Sequence, residues 1–165
     1  MRMTSFVRKE TFTLIVLAVC LCFSLPVNAQ SNRELARIDV VRAIVNGQDI
    51  SKNSLDNKQC IQLYNQGGEI MFANSFIKAD SKSYGKISNV GYRSIREKDY
   101  SSSEIYSFKW NWKNTFDNET GTADVYIKVV TGNEGKAARV IIVSGDLENI
   151  LDYAGIISGS LDRIK

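Results

Sequence analysis

The chain has 165 residues, with 21 Lys and Arg against 18 Asp and Glu, three Cys, a single Pro and no His. Without histidine there is no usual general base and no commonest metal ligand, so Cys–His catalysis and zinc clusters are excluded. The basic residues are interleaved with acids, as in "YRSIREKDY", and do not cluster as a polyanion-binding face requires, so no nucleic-acid partner is expected.

Residues 1–29 read as a secretory signal peptide. Arg2, Arg8 and Lys9 open it, an apolar run from Phe12 to Leu25 follows, and Pro26 leads to the small-residue exit Val27-Asn28-Ala29. The run is shorter than the roughly 20 apolar residues a spanning helix needs. Cleavage is expected after Ala29. It would leave residues 30–165 as a single β-rich domain, secreted or periplasmic, with no transmembrane segment. Cys20, Cys22 and Pro26 leave with the leader, and the remaining charge is nearly balanced. Cys60 is then alone and cannot form an internal disulfide. It is expected to be a buried, inert thiol; a disulfide to another chain is the alternative.

Turn residues cut the rest into short pieces. "ELARIDVVRAIV" reads as a strand, since Val40-Val41 and Ile44-Val45 favour one, although Leu35, Ile38, Val41 and Val45 also allow a helical turn. Asn46-Gly47 ends it. Residues 60–77 read as a hairpin around Gln66-Gly67-Gly68, and Lys86 to Ile95 as one further strand. Ile105 to Ser144 reads as three antiparallel strands, with turns at Asp117–Gly121 and Gly132–Gly135. Beyond Asp146 the pattern is double. Leu147, Ile150, Leu151, Ala154, Ile157, Leu161 and Ile164 fit an amphipathic helix over 146–164, while Leu151, Tyr153, Gly155 and Ile157 fit a strand over 150–158. Gly155 and Gly159 inside a helix would each cost about 1 kcal/mol. The fold expected is all-β, one antiparallel meander closing as a barrel or sandwich, with α+β carrying a C-terminal helix as the alternative.

The densest signal is "YSFKWNWK". Tyr106, Phe108, Trp110 and Trp112 fall on every second residue, so on a strand they share one face. Burying such rings is worth about 1.5–3 kcal/mol each. Three readings follow: a core, a ligand cavity, or an exposed stacking platform for sugar rings. On the next strand Val125, Ile127 and Val129 should pair with the aromatic face. Lys109, Lys113, Asp124 and Lys128 should form a polar outer face. The candidate ligand-binding set is Tyr106, Phe108, Trp110, Trp112 and Tyr126, although alternation puts Tyr126 on the side of Asp124 and Lys128.

No P-loop, G-x-S-x-G or dinucleotide fingerprint occurs. Glu69, Asp99, Glu104 and Asp124 are flanked by polar residues and read as surface acids. Asp146, Glu148 and Asp152 lack EF-hand spacing. No catalytic residue, metal site or cofactor is expected. Asn118-Glu119-Thr120 has the form of a glycosylation acceptor and falls in a turn.

The leader, the chain length, the meander and the "GGEIMF" hairpin strand together resemble the small lipocalin-like (calycin) domains of secreted bacterial proteins. The resemblance implies an up-and-down barrel with a ligand cavity or a filled interior. The function expected is that of an exported, non-enzymatic binding protein holding a small apolar or amphipathic molecule. The alternatives are a surface accessory protein with a solid core that binds another protein, and a glycan-binding module.

Overall fold

The structure is a computed structural model and describes residues 32–96, 102–133, 135–145 and 148–165. The expected signal peptide, Asp99, Asp146 and Leu147 lie outside the described residues. Asn32–Lys165 forms a compact unit.

The strands are β1 (Arg33–Val45), β2 (Gln48–Asp49), β3 (Gln59–Gln66), β4 (Glu69–Phe76), β5 (Ser81–Arg96), β6 (Ser102–Asn114), β7 (Thr120–Gly132), β8 (Gly135–Ser144) and β9 (Ile150–Gly159). A six-residue helix, α1 (Ser51–Asp56), lies between β2 and β3. Each long strand pairs antiparallel with its neighbour from β1 and β3 through to β9. β9 then pairs back onto β1, from Ala36 opposite Gly159 to Val45 opposite Leu151. The result is a closed, eight-stranded, up-and-down β-barrel. β5 runs on past β4, and its residues from Ile87 to Arg96 are paired along one edge only, with β6.

Alternation explains how the core is filled. β6 turns Tyr106, Phe108 and Trp110 inward, and β7 answers with Ile127, Val125 and Ala123 directly opposite. Ile38 from β1, Ile61 and Leu63 from β3, Phe72 from β4 and Val140 from β8 complete an interior with no solvent access. The outer face of the β6–β7 pair is polar as expected, with Lys109 Nζ 3.1 Å from Asp124 Oδ1. Both partners are largely solvated, so the pair contributes little. Arg139 grips Asp152 through two bonds of 2.9 and 2.7 Å on the outside of β8 and β9.

Three irregularities shape the wall, the first a register shift between Glu34 and Ala36 in the β1–β3 ladder. The β1–β9 register shifts between Val40 and Arg42, and the β5–β6 register shifts between Ser88 and Gly91, where Asn89 takes a φ of 53°. Such bulges bend a sheet enough to close it. Gly85 is a second device on β5. A Cβ there would sit 1.7 Å from the Asn111 carbonyl oxygen of β6, so only glycine permits the two backbones to pass this closely.

The C-terminal region is a strand. The helix over 146–164, and with it the α+β alternative, is overturned. β9 finds unpaired edges on both β1 and β8, and pairing on both sides satisfies its backbone while sending Tyr153 and Ile157 inward. Helical order survives only as a 3-10 turn at Asp162–Ile164. The hairpin read at 60–77 is β3 and β4, and the strand read at 86–95 is the longer β5. Cys60 is a free thiol, 1% exposed. Burial pushes its pKa up. At this exposure the thiol is not presented to another chain.

The barrel has two unlike ends. At the lower end the chain leaves β9, and the Ser160 N–H donates to the Leu35 carbonyl at 2.9 Å. Leu161 and Ile164 then enter the core from below. Lys165 Nζ donates to Glu104 Oε1 at 2.8 Å and lies 4.7 Å from the centre of the Tyr92 ring. Tyr92 also donates its hydroxyl to Glu104 at 2.9 Å. The Lys165 hydrogen bond is the main reason the Glu104 carboxyl is held below its ordinary value of 4.5. A carboxyl with a depressed pKa in the folded state stabilises above its unfolded pKa, and that stability is lost as the pH falls through the folded value. Glu104→Gln should therefore shrink the loss of stability between pH 6 and pH 3. Urea midpoints at the two pH values check this, and an unchanged difference would show that the contact is not felt in solution.

Candidate functional site

The upper end carries the β1–β2, β4–β5, β6–β7 and β8–β9 turns. Asn46 and Gly47 close the first with φ of 49° and 81°, the paired positive values of a tight hairpin turn. After β2 the chain is held by Asp49, which accepts from the Ser51 N–H at 2.9 Å, and by Ser51 Oγ, which accepts from the Ala43 N–H at 3.0 Å. These bonds start α1, which packs beside β1 and β3 and brings Ile50 onto the core.

The remainder of the upper end is open, and there the barrel contains a recess of about 190 Å³. Trp110 and Trp112 of β6 form its aromatic wall. Ala123, Ile142 and Leu151 supply aliphatic surface from β7, β8 and β9. Asn74, Ser83, Asn114, Ser144 and Asn149 supply polar groups. No lining residue is charged, and none comes from β1 or α1.

Most of the polar groups are already committed. Ser144 Oγ accepts from the Asn149 N–H at 3.0 Å, and Asn149 Oδ1 accepts from Asn46 Nδ2 at 2.9 Å. Asn114 Oδ1 accepts from the Phe116 N–H at 3.0 Å. Asn74 links inward: its Oδ1 accepts from Gln59 Nε2 at 2.8 Å, and its Nδ2 donates to the Tyr153 hydroxyl at 3.3 Å. Trp110 differs. It is 3% exposed, and its indole N–H has no hydrogen-bond partner. Phe72 meets the ring edge-on, with centroids 4.9 Å apart. Trp112 stands half-buried at the mouth, its centroid 6.3 Å from that of Trp110. It lies against the backbone of β7 at Gly121, where a Cβ would come within 2.6 Å of Trp112 Cζ2.

The structure divides the five candidate residues read from sequence. Tyr106 and Phe108 are core, with Tyr106 fully buried. The Tyr106 hydroxyl lies at the lower end, and burial together with the Glu104 charge pushes its pKa up to about 12. Trp110 and Trp112 line the recess. Tyr126 is removed from the set. It is 46% exposed on the outer wall, because residues that follow one another on β7 alternate faces and Val125 and Ile127 take the inside. The exposed-platform reading is corrected with it, since the ring row faces the interior. Sequence reasoning missed Asn74, Ser83, Ile142 and Leu151, which reach the recess from four other strands.

Of the acids read as surface residues, Glu69 is paired with Lys86, Glu104 with Lys165 and Asp124 with Lys109. Among the described residues no group of three His, Cys, Asp or Glu could hold a metal ion, and no helix is long and apolar enough to cross a membrane. No protein-family model matches the chain, and no curated protein matches it.

Proposed function

We propose that this is an exported, non-enzymatic binding protein of lipocalin-like build that holds a small amphipathic ligand in the upper recess, against Trp110 and Trp112. The observation that carries the reading is the recess itself. It is a concave site combining indole and aliphatic surface with a few polar groups, which is how small-molecule sites are built. Its volume of about 190 Å³ is below the range of about 300–1,000 Å³ usual for drug-sized ligands. Phe72, Phe108 and Tyr106 are packed in the core and add no surface to it. The ligand is therefore a single ring or the end of a chain, not a molecule swallowed whole by the barrel. Export rests on residues 1–29, and recovery outside the cytoplasm of a chain beginning at Gln30 would support it.

The test is a panel of small amphipathic molecules, followed by tryptophan emission and by the shift in Tm. A ligand of the recess should change both. Trp112→Ala should weaken its binding about tenfold, the equivalent of about 1.4 kcal/mol. Because Trp112 is only half-buried, the same change should cost less stability than truncating a core ring. If no molecule alters either signal, the recess is a packing defect, and the barrel is better read as a solid scaffold that meets another macromolecule through its outer wall.

A further inference from the structure

We infer that the ligand of the upper recess is an uncharged, single-ring molecule whose hydrogen-bond acceptor is taken by the Trp110 indole N–H. This rests on the reading of the recess as a binding site and adds the chemical class. Three observations lead to it.

The first is the unpartnered donor. A buried N–H without a partner carries its desolvation cost unrelieved, and such groups are rare enough in folded proteins to need a reason. Trp110 is nine-tenths buried and lines the recess, and its N–H has no partner. Four of the five other polar residues at this mouth are engaged: Asn149 and Ser144 pin the β8–β9 turn, Asn114 pins the β6–β7 turn, and Asn74 bridges Gln59 and Tyr153, while Ser83 adds a hydroxyl to the lining. The vacant role is that of an acceptor facing an indole.

The second is charge. With no ionised side chain in the lining, an ionic ligand would lose its water and meet no counter-charge. Burial of that kind is strongly unfavourable. An uncharged ligand pays no such penalty.

The third is size and shape. A cavity of about 150 Å³ lined by apolar side chains accepts benzene, so a recess of about 190 Å³ takes one ring with one small substituent. The indole N–H lies out of solvent reach, so the acceptor arrives only by displacing a neighbour. Trp112, half-buried at the mouth with its centroid 6.3 Å from that of Trp110, is the aromatic neighbour an entering ring would displace. A flat ring entering there exchanges the Trp110–Trp112 contact for its own.

The experiment compares benzamide, toluene, benzoate and benzylammonium by titration into the purified protein labelled with ¹⁵N. The chain has two tryptophans, so two indole N–H signals appear, and Trp112→Phe identifies which is which. Benzamide should bind at least tenfold more tightly than toluene and move the Trp110 indole proton downfield. Both charged probes should bind at least tenfold more weakly than benzamide. Trp110→Phe should bring benzamide down to the affinity of toluene and leave toluene unchanged. If that variant fails to fold, the downfield shift in the unsubstituted protein decides the matter. Equal affinity for toluene and benzamide with the Trp110 signal unmoved overturns the acceptor class, as does a charged probe binding as tightly as benzamide; in both cases the recess still binds rings. If no probe moves either indole signal, the class and the recess reading fall together.

Discussion

Gly85→Ala should lower the stability of the barrel by about 4 kcal/mol or more, at the severe end of single substitutions. The cause is steric and local. The new methyl carbon would lie 1.7 Å from the Asn111 carbonyl oxygen and 2.8 Å from its carbon. Both are backbone atoms of β6, so no side chain can turn aside to make room. The strands would have to separate where β5 hands over to the ladder holding Trp110 and Trp112. Tm should fall by roughly 10–15 °C on the usual scaling for a domain of this size. Gly132→Ala is the matched control. It lies at the end of β7 with nothing within 4 Å of a new Cβ, so its effect should stay within about 0.5 kcal/mol. Urea unfolding followed by tryptophan emission measures both variants. Equal midpoints for the two would mean that β5 and β6 do not approach closely at Gly85.

Phe72→Ala should cost about 3–5 kcal/mol, the range for deleting a buried aromatic ring. Phe72 has no exposed surface, and its ring meets Phe108 at 5.4 Å and Trp110 at 4.9 Å, both edge-on. Its removal takes away apolar burial and two aromatic contacts, one of them to Trp110 in the recess wall. The substitution should also open space behind Trp110 and so enlarge the recess. The variant, where it remains folded at low temperature, should then accept a larger apolar ring than the unsubstituted protein does. Calorimetric or urea-derived stabilities give the first quantity, and titration with naphthalene against toluene gives the second. A loss below about 1 kcal/mol would mean that neighbouring side chains collapse into the space.

Much of the barrel is legible in the sequence because two elementary signals coincide. Alternating apolar residues mark the strands of 105–144, and Asn, Asp and Gly mark where those strands turn. The facing of Val125, Ile127 and Phe108 follows from alternation alone. The segment after residue 149 is ambiguous by itself because apolar residues there satisfy both periods. Its partners decide, since β1 and β8 supply hydrogen bonds that no local pattern can reveal. α1 is invisible for another reason. Six residues, "SKNSLD", are too few for a helical stripe, and the bonds from Asp49 and Ser51 that start it depend on where Ala43 lies.

The site is legible only by halves. Trp110 and Trp112 stand out as aromatics on one strand. Ser83, Ile142 and Leu151 are unremarkable in the chain; Ile142 and Leu151 face each other across β8 and β9, and the curvature of the sheet brings that pair to the same recess as Ser83. Asn74 leaves a trace, as an amide amid the apolar "EIMFANSF" on the same face as Phe72, and a lone amide on an inward face points to a buried polar network. Tyr126 shows the opposite error. Its chemistry suits a binding site, but its parity on β7 excludes it.

The seam between β1 and β9 also bears on the order of events during synthesis. It joins the first and last long strands, and the bond from the Ile150 N–H to Asn46 Oδ1 spans 104 residues of chain. No ribosome-bound fragment lacking β9 can complete the hydrogen-bonded circle, and contacts this distant in sequence make folding slow. A fragment that lacks β9 leaves the facing edges of β1 and β8 unpaired, so the wall can join only once the last long strand has emerged.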